Sequence, residues 1–259
     1  MNRREFLKLS MATGAASYLA TLPLGSLSRA FAATQGPGLS DPALQPKFAT
    51  AVPNALDPGF IYDTSKGKIK VAVGQTMQQT GHVDPLGNPT WTTLWGYGDN
   101  KIYTWPGRTF EVRSYETLEV KWENRLIDAL GAPLPYILTG KDNTSVGYGD
   151  YTGRSVVDTN LHWAYSLHGY QQYSLATDGV PIVPHVHGGH SDFQFDGNPE
   201  FFFSPGWGVR GPQWVEKKYL YDNSQPAGTV WYHDHALGIT RLNVYTGMAG
   251  FYIIRDDFD

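Results

Sequence analysis

The sequence predicts an all-β chain, folded as an antiparallel β-sandwich or Greek-key barrel. Three observations carry this. Apolar and polar residues alternate with period two in several short runs, Pro and Gly punctuate the gaps between them, and beyond the N-terminal segment no comparable stretch repeats apolar residues at i, i+3, i+4 and i+7.

The N-terminal segment is read first, because a segment that is removed must not be read as fold. Asn2-Arg3-Arg4-Glu5-Phe6-Leu7-Lys8 precedes a weakly apolar stretch rich in Ala, Gly, Ser and Leu. That pattern predicts a twin-arginine signal over residues 1–32, read by the twin-arginine export machinery, and hence a periplasmic or otherwise exported protein. Its apolar part, Leu9 to Leu27, is interrupted by Ser10, Gly14, Ser17 and Pro23. It falls short of the ~20 apolar residues of a permanent membrane span. Ala30-Phe31-Ala32 offers the small residues of a cleavage site. Residues 33–66, rich in Pro, Gly, Ala and Ser, read as a leader that wraps the surface with little regular structure. Residues 67–259 read as a single domain.

The full chain of 259 residues has a formal net charge of −4. Loss of residues 1–32 would remove Arg3, Arg4, Lys8, Arg29 and Glu5, leaving about −7. No basic excess invites nucleic acid. Cysteine is absent. That excludes a catalytic thiolate, a Cys-based zinc site and a blue-copper centre built from this chain.

The strands follow in order. Ile69, Val71 and Val73 alternate with Lys68, Lys70 and Ala72; Leu118, Val120 and Trp122 alternate with Glu119, Lys121 and Glu123. Further runs cover Trp214 to Tyr221, Thr229 to His235 and Gly250 to Arg255, separated by Pro106-Gly107, Gly211-Pro212 and Pro226-Ala227-Gly228.

The chemistry lies in the last third. His185-Val186-His187-Gly188-Gly189-His190 and Trp231-Tyr232-His233-Asp234-His235 each hold a His-x-His pair, which in a strand sets two imidazoles on one face. If the two strands are neighbours, four imidazoles face one volume. Imidazole without thiolate favours copper, zinc, iron or nickel over magnesium or calcium. His82, His162, His168 and His190 are isolated and read as core or surface residues. His190 follows two glycines that break the strand, which would let it line a channel. Asp234 is expected on the strand's outer face, opposite the histidines. Arg241, Asn243 and Tyr245 are expected to pin the return loop by hydrogen bonds. Asp196-Gly197 is a good turn pair.

These motifs resemble the multicopper oxidases, in the branch of spore-coat laccases, bilirubin oxidases and phenoxazinone synthases. The resemblance rests on His185 to His190, on Asp196-Gly197-Asn198-Pro199-Glu200 and on the run from Trp231 to Asp256. Weaker support comes from Trp105 to Thr109, Val120 to Asn124 and Thr159-Asn160-Leu161-His162-Trp163. It implies an N-terminal cupredoxin domain, a Greek-key β-barrel or sandwich. His185 matches a type 2 copper ligand, His187 and His233 match ligands to one type 3 copper, and His235 matches a ligand to the other. Asp196 matches an acidic position near the family's water channel, where it could relay protons.

In that family an organic donor gives electrons to a type 1 copper, and dioxygen is reduced to water at a trinuclear cluster. The type 1 site and the second half of the cluster's ligands lie in a C-terminal cupredoxin domain whose His-Cys-His segment is absent here. The chain is therefore expected to be inactive alone and to need that domain as partner, within a parent oxidase or as a separate chain. A short stand-alone copper binder is the alternative. Copper-free scaffold members of the family have lost the histidine pairs, which this chain keeps. Laccase, bilirubin oxidase and metal oxidase activities are not distinguished by these residues.

Overall fold

The computed structural model describes residues 41–134 and 167–258, among which the regular structure is nine strands, one short α-helix and four single-turn 3-10 helices. The expected signal, its Ala30-Phe31-Ala32 site, His162 and the Thr159 to Trp163 motif lie outside the described residues. In chain order the elements are β1 (Lys68–Val83), β2 (Pro89–Asp99), β3 (Ile102–Thr104), β4 (Gly107–Arg113), β5 (Leu118–Asn124), β6 (Pro184–His187), β7 (Lys218–Tyr221), β8 (Gly228–Asp234), α1 (Thr240–Tyr245) and β9 (Ala249–Arg255). They form a five-stranded sheet, β3-β2-β1-β5-β7, and a four-stranded sheet, β4-β9-β8-β6. No helix among the described residues is long and apolar enough to cross a membrane.

The two sheets are those of the predicted all-β sandwich, with one departure from a purely antiparallel arrangement. β1 pairs with β5, and β4 with β9, in parallel. The alternation read from Leu118 to Glu123 is the burial seen in β5. Leu118, Val120 and Trp122 are buried while Glu119 and Lys121 are half-exposed. The two inner faces meet in an aromatic core. Tyr97 on β2 lies 5.0 Å from Tyr232 on β8, and Phe110 on β4 packs edge-on to Trp122 at 6.1 Å. Burying each such ring stabilises the fold by roughly 1.5–3 kcal/mol. From the N-terminal side, Tyr62 enters this core and donates its backbone N–H to Thr109 O at 2.9 Å.

Several elements differ from the sequence reading. β2 has no clean alternation, because Gly96 and Gly98 interrupt it. They are needed there: a Cβ on either would collide with the β3 main chain. The strand read from Trp214 begins only at Lys218; Trp214 instead takes the Arg210 guanidinium over its ring at 5.2 Å. A helix unforeseen in the sequence, α1, bridges β8 and β9. At six residues it is too short to show a periodic apolar face.

Candidate metal centre

Four imidazoles converge at one end of the four-stranded sheet. β6 and β8 are antiparallel neighbours with His185 directly opposite His233, and His187 opposite Trp231. The ladder continues one step beyond β8, where His235 N donates to Val183 O at 2.8 Å. Period-two alternation then puts His185, His187, His233 and His235 on the same side. The His185 ring centroid lies 5.4 Å from that of His187 and 5.3 Å from those of His233 and His235. His187 and His233 are 5.3 Å apart, and His233 and His235 are 5.9 Å apart.

The nitrogens are arranged for a cation. His233 Nδ1 lies 2.6 Å from the Asp234 carbonyl oxygen, so this nitrogen carries the proton and the Nε2 lone pair is left free. That Nε2 lies 3.1 Å from His187 Nδ1. Two nitrogens bound to one ion at about 2.0–2.1 Å stand at such a separation. Ligand nitrogens of His185, His187 and His233 all fall within 4.8 Å of one another. His185 Nδ1 and His235 Nδ1 are buried with no hydrogen-bond partner among the described residues. Orphaned ring nitrogens and four thiolate-free imidazoles fit copper, and they also fit zinc.

Electrostatics keep the rings ready for metal. Burial, followed by the neighbouring His233, His235 and His187, pushes His185 down to about 4. Burial also lowers His233. Both rings are therefore neutral near pH 7 and can act as ligands. Trp231, missed in the sequence reading although it shares their strand face, stacks on His187 at 5.3 Å and lies 4.2 Å from His233. It remains 38% exposed.

Asp196 closes the short 3-10 turn Phe193–Phe195, and its Oδ1 lies 3.6 Å from His185 Nδ1. Burial raises its carboxyl above the usual range. The turn reading holds beside it: Gly197 has φ +75°, and a Cβ there would sit 2.7 Å from His185 Nδ1. Glycine is required both by the backbone and by this close approach.

Asp234 corrects one expectation. It is fully buried between the sheets, not on an outer face, because the histidines occupy the open side of the strand. Its Oδ1 accepts from Val183 N at 2.8 Å; its Oδ2 accepts from Ala236 N at 2.9 Å and from Asn243 Nδ2 at 2.8 Å. Asn243 Nδ2 also reaches Pro181 O at 3.1 Å. One carboxylate thus fastens the start of β6, the end of β8 and helix α1. Burial pushes this carboxyl up to about 7, against the opposing pull of its donors. Asn243 pins the return loop as expected, whereas Arg241 and Tyr245 are exposed and make no such bond among the described residues.

The isolated histidines among the described residues are apart from this cluster. His82 lies exposed on β1 and His168 in an exposed loop. His190 follows Gly188 (φ +87°) and turns its Nδ1 to Ser224 O at 3.0 Å, while its backbone N–H donates to Gln225 Oε1.

A family model described as multicopper oxidase matches residues 181–258, the stretch that holds all four histidines. The chain belongs to the multicopper oxidase family. It is 33% identical over 210 residues to a laccase of Bacillus subtilis (strain 168), covering 81% of this chain and 34% of that relative. It is 36% identical over 168 residues to a laccase of Bacillus stratosphericus, covering 65% of this chain and 26% of that one. It thus spans about a third or less of the length of these curated relatives. Among solved structures, a multicopper oxidase from Campylobacter jejuni, described as a metallo-oxidase, aligns with a TM-score of 0.42 at 17% identity, over 75% of this chain and 27% of that one.

Proposed function

We propose that this chain is the N-terminal cupredoxin domain of an exported laccase-like multicopper oxidase, and that it supplies four histidines to a copper cluster completed by a C-terminal cupredoxin domain. The observation that carries the reading is the convergence of His185, His187, His233 and His235, with two buried nitrogens left without a hydrogen bond among the described residues. His187 and His233 would share one type 3 copper, since their nitrogens stand 3.1 Å apart; His185 would hold the type 2 copper and His235 the other type 3 copper. Copper bound there would supply one-electron chemistry for reducing dioxygen to water.

The chain's own residues have separate tasks. The β6–β8 ladder sets the spacing of the rings, and the Asp234 carboxylate fixes the two strand ends. The Asp234 carbonyl fixes the tautomer of His233. Asp196, close to His185 and partly exposed, would hold or pass a proton between the site and solvent. With no cysteine, the chain has no thiolate for a type 1 copper and would not accept electrons from an organic donor by itself. A chain of a split oxidase, or a periplasmic copper binder, would use the same four residues.

Copper uptake tests this reading. Binding is expected to weaken in His185→Ala and in His235→Ala, and the copper-loaded chain alone should not oxidise a phenolic donor under air. Unchanged uptake in both variants would move the metal elsewhere; turnover by the chain alone would end the claim of dependence on a second domain.

A further inference from the structure

The outer face of the five-stranded sheet, away from the histidine sheet, carries an unusual row of charge. The registers place Lys70 on β1 opposite Lys121 on β5, and Lys121 opposite Lys218 on β7. Three lysines thus stand side by side on adjacent strands, about 4.8 Å apart at the backbone. Like charges directly opposite each other destabilise a sheet. Lys68 lies two residues before Lys70 on the same face. Lys217 swings its Nζ over the Trp207 ring at 4.0 Å, where Lys121 Nζ also points, at 5.3 Å. Arg125, one residue past the end of β5, adds a cation beside Glu123.

Among the described residues, two carboxylates answer these six cations. Glu123 takes Lys121 at 2.9 Å and Arg125 at 2.6 Å, and Glu119 takes Lys218 at 3.1 Å. Lys68, Lys70 and Lys217 are exposed and have no ion-pair partner among the described residues. The excess is local, since the whole chain is net negative.

We propose that this face docks a linear acidic polysaccharide, a chain bearing one carboxylate or sulfate per sugar. The regular feature is the row across the strands, where Lys70, Lys121 and Lys218 repeat at the strand separation while Glu119 and Glu123 flank Lys121 along β5; it suits an extended chain with regularly repeated anions laid across the strands. A membrane would need apolar side chains to insert, and Leu220 is the large apolar residue exposed within the row beside Glu119. Single-stranded nucleic acid would need free aromatic faces for stacking, whereas the Trp207 ring already faces two lysines. The face is independent of the copper reading, because none of its residues belongs to the histidine cluster.

The test is binding of the full chain to polygalacturonate, with neutral dextran, single-stranded DNA and anionic phospholipid vesicles as comparison probes. Polygalacturonate should bind at about 50 mM salt and be released at about 0.5 M, as screening of surface charge requires. The triple variant Lys68→Gln, Lys70→Gln, Lys217→Gln removes exposed side chains that have no ion-pair partner, and should weaken binding on the order of 10-fold at low salt. Glu119→Gln frees Lys218 and should tighten binding by a few fold, a gain that a structural role would not give. Absence of polygalacturonate binding, affinity unaffected by these variants, or tighter binding of DNA, vesicles or neutral dextran would each overturn the proposal.

Discussion

Replacing Asp234 with alanine should damage this domain more than any single histidine substitution, because the carboxylate is a shared acceptor in a fully buried position. Its loss strands the Val183 N–H and the Ala236 N–H and removes one of the two acceptors of the Asn243 side-chain amide, which still reaches Pro181 O. Each buried donor left unsatisfied costs about 1–3 kcal/mol, so with partial relaxation these losses together cost about 3–6 kcal/mol. That is a large share of the roughly 5–15 kcal/mol that holds a typical domain together. Asp234→Asn keeps one oxygen but turns an NH2 toward donors, and should cost about 1–3 kcal/mol. Urea denaturation of the metal-free chain, followed by circular dichroism, measures both. Copper uptake gives a second readout in Asp234→Asn, which is expected to fold and yet bind copper more weakly, because β6 and β8 are no longer fastened at their ends. A cost below about 1 kcal/mol for Asp234→Ala would refute the view of this carboxylate as the fastening point of both His-x-His strands.

Three further outcomes are expected. His185, pushed down to about 4 from 6.5, contributes stability that is complete above pH 6.5 and is lost as pH falls toward 4; Asp234, pushed up to about 7 from 3.8, acts oppositely and favours the fold as pH falls over that window. Thermal melts of the metal-free chain between pH 7 and pH 4 should therefore fall less steeply in His185→Gln and more steeply in Asp234→Asn than in wild type, and parallel profiles would contradict both assignments. Gly197→Ala puts a methyl group 2.7 Å from His185 Nδ1 at φ +75°, so it should cost about 1–3 kcal/mol in a denaturation curve and weaken copper uptake together. Trp231 fluorescence should be quenched when Cu(II) is added, because its ring lies against His187 and His233, and this component should vanish in Trp231→Phe without loss of copper binding.

The sheets and the convergence of the four imidazoles were legible in the sequence because both rest on period two. Alternation along Leu118 to Glu123 gave the buried face of β5, and the same alternation put both members of each His-x-His pair on one side. Burial of Asp234 was not legible, since alternation says only that it opposes the histidines and not which side of the strand faces the core. β2 was hidden by Gly96 and Gly98, which serve a close strand crossing and contribute no side chain to a pattern. The approach of Gly197 to His185 and the row of Lys70, Lys121 and Lys218 are products of register between distant segments, which no local pattern contains.

The central claim is that these four imidazoles hold copper. Electron paramagnetic resonance of the chain loaded with one equivalent of Cu(II) addresses it most directly. The account predicts hyperfine coupling to several imidazole nitrogens and no sulfur signature, with the nitrogen pattern changed in His187→Ala and in His233→Ala. A spectrum that is unaltered in both variants, or that matches oxygen-only coordination, would contradict it.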